Sequence, residues 1–207
     1  VPRHVDAPKV RPADGDDVSA VAAMLARAFD DDPVANYLMP SARRRPPGLR
    51  AFFGTQMAKD LLPHGGVYTT DDRSGAALWA PPDKPALPLS RALLNALPTL
   101  PYVAGRNFLR SVRFLAHIEA IHPKEPHWYL ATLGTEPSRQ GHGIGSAVLA
   151  PVLRRCDLDG VRAYLKSSKE RNIPFYRRHG FEVTGEVNLA GGPQVWTMWR
   201  DPRPPED

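Results

Sequence analysis

The stretch from His127 to Gly145 constrains this chain more than any other: His-Trp-Tyr-Leu-Ala-Thr-Leu-Gly-Thr-Glu-Pro-Ser-Arg-Gln-Gly-His-Gly-Ile-Gly. Its first half is a short apolar run rich in aromatic and β-branched residues, which predicts a buried strand. Glu136-Pro137-Ser138 is turn chemistry, because proline fixes φ and donates no hydrogen bond. Gly141, Gly143 and Gly145 then lead into Ile144, Ala147, Val148, Leu149, Val152 and Leu153, an apolar stripe at helical spacing. A strand, a glycine turn and a helix point free backbone N–H groups at whatever sits before the helix, where its dipole favours negative charge. That is an anion cradle. Glycines let a phosphate reach the backbone without meeting a Cβ.

Two nucleotide patterns fail here. The Walker pattern needs Gly-Lys-Ser/Thr, and Gly145-Ser146 has no lysine between its members. The dinucleotide fingerprint spaces its glycines differently and belongs to an early strand-helix unit, whereas this one comes late.

Around this unit, the periodicities predict the order β-α-α-β-β-(helical insert)-β-α-β-α-β-β. We read this as a single α/β domain over 1–207, a mixed central sheet flanked by helices. A helical insert is expected at about 83–122, with frayed ends at 1–8 and 201–207. Asp14, Asp16 and Asp17 are placed to cap a first helix through Val18, Val21, Leu25 and Phe29, which Asp30-Asp31-Asp32-Pro33 ends. A second helix is predicted over 48–62, then a hairpin of 66–70 and 75–80. Within the insert, 87–97 and 107–121 read as helices. The second carries Phe108, Val112 and Leu115 on one face and Arg106, Arg110, Arg113 and His117 on another, a basic stripe expected to be solvated.

The chain of 207 residues carries 27 Lys+Arg against 22 Asp+Glu, a net charge of +5. That excess suits a polyanionic partner, either nucleic acid or a phosphorylated cofactor, and does not choose between them. No apolar run approaches the ~20 residues needed to span a bilayer. The single cysteine, Cys156, excludes an internal disulfide and a cysteine-rich zinc site. A reducing, cytoplasmic setting is the expectation. His117, His122 and His127 match no common zinc spacing, so no metal is expected.

Gln140-x-x-Gly143-x-Gly145 after a strand resembles the pyrophosphate motif of the GNAT superfamily of acetyl-CoA-dependent N-acetyltransferases. A second anchor, Asn172-Ile-Pro-Phe-Tyr176-Arg-Arg-His-Gly180-Phe181, is similar to that superfamily's Tyr-x-x-x-Gly-Phe segment. Lys124 to Thr132 and Arg171 to Tyr176 look most like puromycin N-acetyltransferase-like proteins. The resemblance implies that Leu133, Gly134 and Thr135 pair with the pantetheine amides of acetyl-CoA like an added strand. It implies that Gln140, Gly141, His142, Gly143, Ile144, Gly145 and Ser146 hold the pyrophosphate, and that a backbone donor near Leu133 polarises the thioester carbonyl. Tyr176 would be the general acid on the departing thiolate; a tyrosine packed in the core is the plain alternative. Asn172 would contact the donor, with a helix cap as its alternative.

The acceptor implied is a primary amine of a small molecule or peptide, attacking directly. No serine or cysteine stands in a nucleophile setting. Deprotonating the amine calls for a base. Glu119, one turn past Leu115 on an apolar face, is the candidate, with His117, His122 and Glu125 as neighbours. Asp30, Asp31, Asp32 and Tyr37 are candidates for an acceptor mouth favourable to a cation. No membrane contact is expected, and self-association into a homodimer is left open. The rival readings are a noncatalytic acyl-CoA-binding module and, last, a nucleic-acid-binding protein, since no stacking aromatics alternate with the basic stripe.

Overall fold

Seven strands form one sheet in the computed structural model, which describes residues 9–82, 97–102, 106–188 and 192–203. The strands are β1 Val10–Pro12, β2 Val67–Thr70, β3 Gly75–Ala80, β4 Trp128–Thr135, β5 Ala163–Ser167, β6 Glu182–Asn188 and β7 Gln194–Arg200. Their order across the sheet is β1-β2-β3-β4-β5-β7-β6, and β4 with β5 is the only parallel pair among them. The helices are α1 Val18–Ala28, α2 Pro33–Leu38, α3 Arg45–Thr55, α4 Arg106–Ala120, α5 Ile144–Asp159 and α6 Ile173–Arg178.

Successive residues of β3 belong to different cores, as the two-residue period of a strand requires. Ala76 and Leu78 join Val21, Leu25, Phe53 and Met57 from the helices of the N-terminal half. Ala77 and Trp79 join Val148, Leu149, Val152 and Cys156 from α5, together with Leu165, Phe181 and Met198. The sheet is therefore covered on both faces. Each fully buried side chain of leucine size contributes roughly 1.5–3 kcal/mol. Cys156 is fully buried in this layer.

Asp14 caps the turn that leads into α1, accepting from the Asp16 amide at 2.9 Å. Asp17 is fully buried there, held by Arg11 at 2.6 and 2.8 Å and by Arg73 at 2.7 Å. The Arg11 hydrogen bonds keep its carboxyl well below the ordinary carboxylate range.

Three predicted elements differ from the structure. Asp30-Asp31-Asp32-Pro33 ends α1 but also begins α2: the Asp32 side chain accepts from the amides of Val34 and Ala35 at 2.9 and 3.0 Å, and Pro33 opens the helix. The second predicted helix starts earlier, at Arg45, and turns π-helical over Gln56–Leu61. In α4 Arg113 and His117 of the basic stripe are exposed as expected, but the apolar packing differs. Phe114 is buried while Phe108 is 39% exposed, and Arg110 lies 3.5 Å over the Tyr37 ring instead of in water. The predicted helix 87–97 lies, up to residue 96, outside the described residues, and Leu97–Tyr102 is a 3-10 segment.

Candidate active site

β4 and β5 are paired only at Trp128↔Ala163, Tyr129↔Tyr164 and Leu130↔Leu165. Beyond Leu130 they part, and among the described residues no strand pairs with that edge of β4 from Ala131 to Thr135. On its other side β4 carries a bulge: Leu130 faces Trp79 and Thr132 faces Leu78, so Ala131 is the extra residue. Bulge and separation fall at the same point. They open a cleft of about 480 Å³ between the strands, floored by β4, with α6 along one wall.

The outer end of the cleft is the glycine turn. Gly141 and Gly143 have φ of +81° and +77°, and a Cβ built on either would meet no atom within 4 Å. Both line the cleft, and the space a Cβ would take is free for a ligand to approach the backbone. Gln140, Ile144, Gly145 and Ser146 line the same end; Arg139, Arg171 and Arg178 also line the cleft, the first two paired with Asp72 and Asp31. Ser146 Oγ shares a hydrogen bond of 2.9 Å with His179 Nε2. Burial, with Arg178, Arg200 and Arg203 nearby, pushes the His179 imidazole below its ordinary range. His142 behaves differently: it is exposed, its ring nitrogen lies 2.9 Å from the Gln140 carbonyl, and it is not part of the cleft wall.

Leu133, Gly134 and Thr135 line the middle, along the open edge of β4. Thr132 lies beside them, its hydroxyl donating 3.0 Å to Oε1 of Gln56. The π turn of residues 56–61 carries that glutamine.

Tyr176, Asp32, Ser168 and Lys166 also line the cleft. Tyr176 is 8% exposed and packs edge-on against Phe175 and Phe181. Burial, then the Asp32 carboxylate, raise its phenol above the ordinary range. It therefore stays neutral and keeps its proton at physiological pH. Asp32 accepts the Ser168 hydroxyl in addition to its two helix-capping amides. Asn172 lines the cleft and makes no capping hydrogen bond to α6, so the helix-cap alternative for it is not realised.

Lys166 carried no weight in the sequence reading. Its Nζ donates 2.8 Å to the carbonyl of Ile118 and lies 3.2 Å from Nδ1 of His122, and the Tyr129 and Tyr164 rings flank it. His127, His122, Tyr129, Tyr164 and Trp199 form one aromatic cluster behind it. Burial, with Lys166 and His127 adding to it, pushes the His122 imidazole down to about 3. Burial likewise lowers the Lys166 ammonium to about 8, with Glu119 opposing. One signal in the sequence could have marked it: a lone lysine in Ala-Tyr-Leu-Lys-Ser, a strand otherwise buried on both faces.

The other candidates are dispersed. Glu119 is exposed near the end of α4 and is not part of the cleft wall, although its charge reaches Lys166 and Tyr129. Asp31 is paired with Lys169 and Arg171, and Asp30 with Arg45 at 2.9 Å. Tyr37 sits under Arg110 and against Phe114. Of these acids and Tyr37, only Asp32 reaches the cleft. Among the described residues no helix is long and apolar enough to cross a membrane. No group of three or more His, Cys, Asp or Glu is placed among them to hold a metal ion.

A sheet parted between two parallel strands, with a glycine turn and a buried tyrosine lining the gap, is the frame of an acyltransferase. The model of the acetyltransferase (GNAT) family matches residues 78–181, and the chain belongs to that family of N-acetyltransferases. It is 28% identical over 185 residues to the uncharacterized N-acetyltransferase C550.08 of Schizosaccharomyces pombe, covering 84% of this chain and 74% of that one. A crystal structure described as histone acetyltransferase HPA2 and related acetyltransferase, from Corynebacterium glutamicum, superposes with a TM-score of 0.70. It is 29% identical, over 97% of this chain and 99% of the other. A polyamine N-acetyltransferase of Drosophila melanogaster shares the fold, with a TM-score of 0.60 at 14% identity over 94% of this chain and all of the other.

Proposed function

We propose that this protein transfers an acetyl group from acetyl-CoA to a primary amine of a small molecule or peptide, by direct attack without an acyl-enzyme. The observation that carries this reading is the continuity of the cleft: one trough joins the glycine turn, the edge of β4 beyond Leu130 and Tyr176. The residues fit the donor. An elongated molecule with phosphates at one end and amides in its arm would meet positive charge, then free backbone groups, then a neutral proton donor. When bound, acetyl-CoA supplies an activated thioester.

The chain's residues divide the remaining work. The amides around Gly141 and Gly143, with Gln140 and Ser146, hold the phosphates. The edge at Leu133, Gly134 and Thr135 aligns the arm, and a backbone N–H near Leu133 faces the thioester carbonyl, where negative charge develops. Tyr176 donates its proton to the leaving sulfur. The likeness of Lys124 to Thr132 and Arg171 to Tyr176 to puromycin N-acetyltransferases favours a small-molecule amine over a protein lysine. Two proteins that share the fold, an agmatine N-acetyltransferase and a polyamine N-acetyltransferase, act on amines of the same chemical class.

Tyr176→Phe tests the proposal, because it keeps the ring and its packing and deletes only the hydroxyl. Thiol release with acetyl-CoA and a panel of amines is expected to fall by roughly 10²-fold or more, the scale of a lost general acid. The thermal stabilisation given by acetyl-CoA is expected to persist in the variant. Full turnover in Tyr176→Phe would return this residue to a packing role.

A further inference from the structure

We propose that Lys166 is a catalytic residue, the base that takes the proton from the incoming amine. The inference rests on the acetyltransferase reading given above. Lys166 is the first residue of β5 beyond its last pair with β4, Leu130↔Leu165, so it stands where the strands part and opposite the bulge at Ala131. It lines the cleft, as does Tyr176. A proton donor for the leaving sulfur and a proton acceptor for the entering nitrogen thus line one trough.

The surroundings of Nζ are those of a base and not of a structural cation. An ammonium has three N–H directions. Two are committed, to the Ile118 carbonyl at 2.8 Å and toward His122 Nδ1 at 3.2 Å. The third is claimed by no side chain or backbone atom among the described residues, and no carboxylate there lies within ion-pair distance. In the neutral amine this third direction is the lone pair. His122 cannot drain the proton onward, because burial holds its imidazole far below the lysine. It serves instead as a neutral acceptor that fixes the direction of Nζ.

The charged and titratable groups facing Lys166 come from every side. They are Glu119 on α4, His122 after it, His127 ahead of β4, Tyr129 on β4 and Tyr164 on β5. The tyrosines are neutral, since burial raises both, Tyr129 to about 12. Both histidines are pushed below their ordinary range, and among the described residues the charge that acts on the amine is that of Glu119.

In the step itself the nitrogen lone pair of the acceptor forms the N–C bond and the C–S bond breaks. One N–H proton passes to Lys166 Nζ, and Tyr176 delivers its proton to sulfur. Lysine ends as ammonium and tyrosine as phenolate, and proton exchange with solvent resets both. No oxidant or further reactant is needed.

The test is the pH–rate profile of thiol release at saturating acetyl-CoA, for the wild type, Lys166→Met and Lys166→Arg. A base must be unprotonated, so the wild-type rate is expected to rise about tenfold per pH unit and level off near 8. Lys166→Met is expected to lose roughly 10²-fold at pH 7.5, and its rate should climb without a plateau toward the acceptor's own titration. Lys166→Arg, which stays charged, should be equally impaired. Acetyl-CoA should still raise the melting temperature of both variants. An active wild type whose profile survives in Lys166→Met overturns the base role alone. Retained activity in Lys166→Arg, with a wild-type rate that falls above pH 8, overturns it in favour of a cationic donor. A wild type that releases no thiol with any amine overturns the acetyltransferase reading itself.

Discussion

Asp17, at the corner between β1 and α1, and Lys166, in the wall of the cleft, are both withdrawn from water and are partnered in opposite ways. Asp17 has no exposed surface and spends its carboxylate on two arginines and the Asp14 amide. Lys166 has a carbonyl, an imidazole and two aromatic rings, but no carboxylate at ion-pair distance among the described residues. A buried charge whose role is structural is matched, because leaving it unmatched costs several kcal/mol. A charge left unmatched at the edge of a cleft marks a place where the molecule gives up stability, and function is the usual reason. Arg200 repeats the first pattern, with two bonds to Asp157 at 2.7 and 2.8 Å and a third to the His179 carbonyl. It asks for no chemistry.

Three substitutions would break or sharpen this contrast. The largest effect is expected from Asp17→Asn, which leaves Arg11 and Arg73 facing a neutral amide. Its melting temperature at pH 7 should fall by several degrees, with turnover per folded molecule unchanged. The pH dependence has a definite sign. The folded carboxyl titrates below its unfolded value of about 3.9, so its contribution is complete above that pH and is lost as pH falls through the folded value. Acid unfolding should therefore be less steep in Asp17→Asn than in the wild type. A variant that melts normally would place Asp17 outside the group of structural charges.

Lys166→Met should do the reverse, losing turnover while melting at or above the wild type at pH 7. The folded amine titrates at about 8 and the unfolded one near 10.4, so between those values the unfolded chain binds more protons and wild-type stability rises with pH. The variant's advantage should shrink over that window, as thermal melts at pH 7, 8.5 and 10 would show. An advantage that stays constant would contradict an unmatched ammonium.

Glu119→Gln is the smallest perturbation. The carboxylate holds the Lys166 ammonium up, so removing it should move the plateau of the rate profile to lower pH by a fraction of a unit. If Glu119 were itself the base, the substitution would instead abolish that limb. The shape of one curve separates the two.

Strand, glycine turn and α5 were legible because each signal is local: aromatic and β-branched runs, glycines at φ near +80°, and an apolar stripe. The same holds for Pro174 and Tyr176 in α6. The rest depended on tertiary context. Asp32-Pro33 ends one helix and caps the next, and only the Val34 and Ala35 amides tell those uses apart. Periodicity put Glu119 on an inward face, but the face of α4 is set by Phe114 packing near Tyr37 and by Arg110 covering that ring. An arginine that buries its stem looks polar in any pattern. Lys166 was passed over because a lysine in a strand ordinarily faces water, and no pattern in β5 reveals that β4 leaves its side one residue earlier.

The parting of β4 from β5 has a mechanical meaning as well. Across that line the β1–β4 half of the sheet and the β5–β7 half share three residue pairs among the described residues. On the function proposed above, a donor lying along Ala131–Thr135 would be mortar in that seam, turning two abutting panels into one continuous plate.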